Sequence, residues 1–321
     1  MNSRYDVLLH RHESNPILTA NDWPYPVHTV FNPGATRLQD GTTLLLCRVE
    51  DRRGISHFCA ARSEDGITDW RIDERPTFVP DPSNYPEEIW GIEDPRITYL
   101  AEEDVYVIAY TAFGRSGPAV SLAKTKDFVE FERLGLVMGA DDKDAALLPR
   151  KVNGEYALVH RPITDEAAHI WISYSPDLTF WGEHKIMLHA RKGAYWDANK
   201  IGLSPPLVET ERGWLVVYHG VRRHASGSIY RLGLALMDKN SPEIVLRRGE
   251  GWMMAPTERY EIEGDVPYVV FPCGFTVLDD GDTIRFYYGA ADTCIGMCEG
   301  SIQQMLDWLE NESDYYEYGS R

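Results

Sequence analysis

The sequence predicts an all-β protein, a five-bladed β-propeller with a short C-terminal helix. Three observations carry that expectation. A hairpin of apolar strand, tight turn and apolar strand occurs five times, with turns at 39–41, 101–104, 152–155, 211–213 and 279–282. A third strand follows each hairpin and ends at a polar residue, and these ends (Asp65, Asp127, Asp177, Asp238 and Ser301) recur about every 50–63 residues. Helical spacing of apolar residues is convincing only over 301–312, at Ile302, Met305, Leu306 and Leu309. A β-sandwich with chance likeness between hairpins is the alternative.

The copies follow in order. The first runs through 36–38, turns at Asp40-Gly41 and returns through 43–47, with a third strand over 57–62. Asp-Gly and Asn-Gly between β-branched or apolar runs mark hairpins because both residues accept positive φ. The second pairs 97–100 with 105–110 and adds 119–125. The third turns at Asn153-Gly154 before 156–159 and 170–175. The fourth turns at Arg212-Gly213 before 214–218 and 231–237, and the fifth at Asp280-Gly281 before 284–288 and 294–300. An aromatic soon follows several of the polar ends: Trp70, Phe131, Phe180 and Trp181. Five such blades account for nearly the whole chain, so 1–321 reads as one catalytic domain, with a loosely ordered tail over 314–321.

Composition narrows the function classes. With 321 residues, 43% hydrophobic, the chain can bury a sizeable core. A net charge of −18 keeps it soluble and repels phosphate backbones, so nucleic acid is not an expected partner. The five cysteines are odd in number, lack a Cys-x-x-Cys and mostly sit in apolar runs, which reads as buried free thiols in a reducing compartment. No apolar stretch approaches the roughly 18 residues of a membrane span, and no signal-peptide core stands near Met1. A cytoplasmic protein without membrane contact is the expectation.

The propeller reading has a geometric consequence. If the first strand of each blade lines a central channel, its start and the end of the second strand share one face. Standing before the first strands are Asn32, Asp94, Lys143 with Asp144, and Lys200. Following the second are Arg48 with Glu50 and Asp51, Thr111, His160 with Arg161, His219, and Asp292. Taken singly, a strand-end His or Arg is usually a solvated or ion-paired surface group, and Asp94 before Pro95 marks a turn. Together, carboxylates and cations converge on one mouth, the pattern of a site built over a rigid scaffold. A basic cluster in so acidic a chain points to an anionic ligand. His-Glu-x-x-His, the phosphate-cradling Gly-x-x-x-x-Gly-Lys and Gly-x-Ser-x-Gly are all absent. Trp23, Tyr25, Trp90, Tyr195 and Trp196 fall in loop-like segments and are candidates to stack on sugar rings.

These residues resemble glycoside hydrolase family 130, the mannoside phosphorylases. The likeness rests on Phe31-Asn32-Pro33-Gly34-Ala35, Gly91-Ile92-Glu93-Asp94-Pro95-Arg96, the run from Tyr156 to Pro162, and Lys200-Ile201-Gly202. It continues in the run from Trp214 to Val221, Tyr230-Arg231-Leu232-Gly233, Phe271-Pro272-Cys273-Gly274 and the run from Tyr287 to Thr293. The resemblance implies a five-bladed propeller that phosphorolyses β-mannosides with inversion, releasing α-mannose 1-phosphate and needing inorganic phosphate but no cofactor. By similarity Asp94 is the general acid, acting through the 3-hydroxyl of the bound mannose. Asn32, Arg48 and Asp292 match mannose-binding positions, and Lys143, Arg161, Lys200, His219 and Tyr230 the phosphate-binding set. The third hairpin departs from the family at Leu147-Leu148-Pro149-Arg150-Lys151, where Phe-Pro-Glu-Lys is expected, which bears on Lys143.

The chemistry is coherent on its own terms. An inverting displacement needs an acid on the leaving oxygen and a nucleophile on the opposite face of the ring. The acid must carry a proton at working pH, which burial or a neighbouring carboxylate such as Glu93 favours. A β-1,4-linked mannooligosaccharide, or a mannosyl unit on N-acetylglucosamine or glucose, is the expected substrate. A β-mannoside hydrolase and a non-catalytic sugar-binding propeller are the other readings. Family members often oligomerise, and the 301–312 helix is a candidate surface for a partner subunit.

Overall fold

The computed structural model describes residues 8–164, 168–225 and 227–312. Its strands form five antiparallel sheets, each built from chain-consecutive strands with one exception. Blade one holds Thr29–Arg37, Thr43–Glu50, Ser56–Ser63 and Arg71–Ile72. Blade two holds Ile92–Leu100, Val105–Gly114, Gly117–Thr125 and Glu132–Met138. Blade three holds Asp142–Leu147, Tyr156–Pro162, Ile170–Ser175 and Gly182–Leu188. Blade four holds Lys200–Leu203, Val208–Thr210, Gly213–His224, Gly227–Met237 and Val245–Arg248.

Blade five is the exception. Val270–Val277, Thr283–Ala290 and Cys294–Ser301 supply three strands, and the fourth is His10–Arg11 from the beginning of the chain. Asn15 continues the seam, its amide donating to the Met297 carbonyl and its side-chain oxygen accepting from the Met297 amide, each at 2.8 Å. The sequence reading gave that strand no place, because two residues are too short to show any periodicity.

Apolar clusters sit between neighbouring blades and account for the ring. Leu44, Leu46 and Phe58 of blade one meet Ile108 and Tyr110 of blade two. Val107 and Leu122 meet Leu147 and Leu158 of blade three, and Val159 and Ile172 meet Trp214 and Tyr218 of blade four. Leu215 and Leu234 meet Phe286 of blade five, whose Tyr287 and Ile295 return to Leu45 and Cys47 of blade one. Sheets with two apolar faces stack this way because each face needs a cover.

The helix is observed as Ile302–Glu312. Ile302, Met305, Leu306 and Leu309 bury against Leu215 and Leu234 of blade four and Cys298 of blade five. Its apolar face is therefore covered from within the chain. A four-residue helix, Arg259–Ile262, and two single turns, Ala20–Asp22 and Pro86–Glu88, were not anticipated. The 314–321 tail lies outside the described residues. All five cysteines are buried and free, as read from the sequence.

One correction positions the site. Asn32 and Asp94 were read as standing before their strands; both lie inside them, at β-bulges. Pairing jumps from Phe31–Arg48 to Gly34–Leu46 in blade one, and from Glu93–Thr111 to Arg96–Ala109 in blade two. Blade three repeats the jump, from Lys143–Arg161 to Ala146–Val159. At each bulge one residue takes positive φ: Asn32 at 42°, Asp94 at 53° and Asp144 at 56°. Asn and Asp tolerate that region better than other side chains, and a bulge re-aims the side chain it carries. The break in alternation is also why the strand seemed to begin after it.

Candidate active site

Asp94 is 5% exposed and its Oδ1 accepts from Asn32 Nδ2 and from Arg48 Nη1, both at 2.9 Å. The first bulge thus addresses the second. Arg48 stacks over Phe31, with its guanidinium carbon 4.6 Å from the ring centre, and donates through Nε to Ser56. Its Nη2 donates to Glu93 Oε1 at 3.1 Å and lies 3.6 Å from Glu50. Glu93 and Asp94 thus share the Arg48 guanidinium. Asp292 stands in the turn after the second strand of blade five, at φ 50°, and faces the same charges.

Burial by itself would raise the Asp94 carboxyl, but Arg48, Lys143 and the Asn32 amide outweigh it and hold Asp94 below the usual carboxylate range. The expectation of an acid protonated by burial or by a neighbouring carboxylate is thus corrected: Arg48, Lys143 and Asn32 together favour the ionised form of Asp94. Asp292 behaves oppositely. Burial first, then the Asp94, Glu93 and Glu50 charges, push it up to about 7 against the pull of Arg48. The carboxyl that holds a proton near neutrality is Asp292.

The cationic side is organised around the third bulge. Asp144 Oδ2 accepts from Arg161 Nε at 3.0 Å and Nη2 at 2.9 Å, and His219 Nε2 lies 3.5 Å away. Arg96, 1% exposed, donates to the carbonyls of Ser204 and Leu203 and lies 3.6 Å from Asp144 Oδ1, tying blade two to blade four. Lys200 donates to the Tyr230 hydroxyl at 2.7 Å, and His219 packs between Tyr230 and Phe271. Lys143 Nζ lies 3.8 Å from Glu93, so the one lysine touches both halves. Burial, then Arg161 and Lys200, lower His219 to about 3, leaving it neutral. Burial and Arg161 lower Lys200 to about 8 while Asp144 supports its charge.

All nine residues to which the resemblance gives a role line one cavity of about 380 Å³: Asn32, Arg48, Asp94, Lys143, Arg161, Lys200, His219, Tyr230 and Asp292. Lys143 belongs despite the departure in the hairpin that follows it. Thr111 and His160 do not line it. His160 is spent between Asp142 Oδ2, at 2.5 Å, and Ser173, at 2.7 Å. Asp142, His160 and Ser173 form the chain of a nucleophile triad, but Ser173 is fully buried, so the chain braces blade three. None of the five loop aromatics lines the cavity. Trp23 and Trp196 are core residues, Tyr25 bonds His57, and Trp90 and Tyr195 are exposed elsewhere. The aromatics that do line it, Tyr230 and Phe271, sit on strands. The sequence reading missed Arg96 and left Asp144 without a role, although its place one blade on from Asp94 was a usable signal.

Comparison with known proteins follows the geometry. A family model, Glyco_hydro_130, described as beta-1,4-mannooligosaccharide phosphorylase, matches residues 9–311. The 1,2-beta-oligomannan phosphorylase of Thermoanaerobacter sp. is 35% identical over 94% of this chain and 99% of its own. The beta-1,4-mannooligosaccharide phosphorylase of Ruminococcus albus is 31% identical over 94% of this chain and 91% of its own. Among solved structures, the beta-1,2-mannobiose phosphorylase of Listeria innocua in complex with beta-1,2-mannobiose superposes with a TM-score of 0.85 at 30% identity, covering 95% of this chain and 99% of that one.

Proposed function

The chain belongs to glycoside hydrolase family 130 and is a β-mannoside phosphorylase; we propose that it works by inversion, with Asp94 as general acid and phosphate as nucleophile. The observation that carries this reading is the sharing of one cavity by an anchored carboxylate, Asp94, and a set of cations, Lys143, Arg161 and Lys200. A hydrolase needs a carboxylate base poised over water where this cavity offers cations. Mannose lies against Asn32, Arg48 and Asp292. Asn32 Oδ1 has no partner among the described residues and suits a sugar hydroxyl. Phosphate is held by Lys143, Arg161, Lys200, His219 and Tyr230.

A phosphate oxygen bonds to the anomeric carbon as the bond to the acceptor oxygen breaks. That oxygen takes the proton of Asp94, relayed through the 3-hydroxyl of the mannose. Asp94 starts ionised, so it takes up a proton from solvent as the substrates bind and weaken the charges that hold it low. Phosphate neutralises Lys143, one of the charges that hold Asp94 low, and the sugar expels water. Neutral His219 donates or accepts without adding charge. The relatives act on β-1,2 and on β-1,4 bonds, so the assay carries both.

The enzyme is incubated with β-1,2- and β-1,4-mannobiose and with mannosyl-glucose, with and without phosphate, and followed by phosphorus NMR. The expected result is α-mannose 1-phosphate from at least one substrate and no cleavage without phosphate. Free mannose released equally fast without phosphate identifies a hydrolase instead. Asp94→Asn lowers kcat by about a hundredfold or more while sugar binding persists; undiminished turnover refutes its role.

A further inference from the structure

Asp144 lies at the third bulge, in the place that Asn32 and Asp94 hold in the first two blades, with the same positive φ. It is 1% exposed, yet it forms part of the cavity wall. A carboxylate inside a cradle for an anion is unfavourable unless it does something for the cations around it. Its Oδ2 takes both Nε and Nη2 of Arg161 at 3.0 and 2.9 Å, leaving the two hydrogens of Nη1 and the second of Nη2 as donors. His219 and Arg96 approach the same carboxylate from blade four and blade two. Gly202 of blade four is the residue that lets Asp144 and His219 sit so close, since any Cβ there would overlap both.

We infer that Asp144 is a positioning residue for phosphate: it fixes the guanidinium of Arg161 before the anion arrives and serves as the shared counter-ion of the cradle. The inference rests on the reading of Arg161 and Lys200 as phosphate ligands. Two cations facing each other across the cavity repel, and without a fixed anion Arg161 is free to turn away from it. Holding it in place beforehand moves the ordering cost from binding to folding. Among the described residues, Arg161 and Lys143 from blade three and Arg223 from blade four disfavour the Lys200 charge, Tyr230 accepts a hydrogen bond from it, and Asp144 is the carboxylate that favours it. Removing Asp144 therefore makes Lys200 lose its proton at a lower pH.

The test is initial-rate kinetics of wild type, Asp144→Asn and Asp144→Glu with phosphate varied at saturating mannoside, then the reverse, across pH 6 to 9. In Asp144→Asn the KM for phosphate rises about tenfold or more and the KM for the mannoside changes by less than about twofold. The alkaline fall in phosphate affinity moves to lower pH. Asp144→Glu keeps the charge but displaces the carboxylate; it raises the KM for phosphate without moving that fall. An unchanged or lower KM for phosphate in either variant overturns the proposal, as does an equal loss in both KM values. Should Asp144→Asn fail to fold, Asp144→Glu alone decides by the phosphate KM. A wild type indifferent to phosphate refutes the functional reading itself, before any variant is measured.

Discussion

His219 shows what the ring does to a single side chain. Burial and the nearby cations bring its pKa from 6.5 to about 3. Between those values the unfolded chain binds a proton that the folded site refuses. Its contribution to stability is therefore full above about pH 6.5 and is lost as pH falls towards 3. The urea midpoint is expected to drop between about pH 6.5 and pH 4, and to drop less steeply in His219→Gln; parallel slopes exclude the effect. Residue identity was legible here, as it was for Asp94 and Arg161, because strand ends rich in charge are conspicuous in apolar surroundings. Protonation state was not legible. The sequence reading placed the proton on Asp94, while Arg48, Lys143 and Asn32 hold Asp94 low and burial pushes Asp292 up to about 7.

At the scale of elements, the bulged inner strands decide the site. Each puts an Asn or Asp in a conformation that turns it along the cavity wall, and the neighbouring blade must leave room. Gly289, in the second strand of blade five, leaves that room for Asn32: a Cβ on Gly289 would overlap its side-chain amide and crowd its backbone nitrogen. Gly289→Ala is expected to push Asn32 off Asp94 and reduce kcat/KM by roughly 100-fold, with a stability loss of only about 1–3 kcal/mol. A variant with full activity contradicts the coupling of Asn32 to Asp94. Hairpins were readable from Asp-Gly and Asn-Gly, and the helix from its spacing. The bulges were not, since the residue that breaks the alternation looks like loop.

At the scale of the molecule, a ring of blades fails at its weakest seam. Here the seam is His10–Arg11 against the third strand of blade five. Arg11 donates to both oxygens of Glu261, a fully buried carboxylate, and to the Ala255 carbonyl. Arg11→Ala removes the cation paired with that carboxylate, which keeps Tyr288 and the Thr257 and Glu258 amides, and is expected to cost about 3 kcal/mol, read as a lower urea midpoint with kcat little changed at moderate temperature. An unchanged midpoint means that the seam is held by Asn15 and the backbone alone.

The sequence by itself determined the number of blades and the apolar strands that stack them, and it put eight of the nine side chains of the site at strand ends; Tyr230 came only with the resemblance to family 130. Blades and strand ends follow from local periodicity and turn chemistry, which each short segment carries whether folded or not. Only the tertiary structure decided that the chain closes through its first strand. It also decided that Asp144 belongs to Arg161 and His219, that Arg48 keeps Asp94 ionised, and that the loop aromatics pack away from the cavity. Those outcomes are sums over partners distant in sequence, and electrostatics and packing act through space.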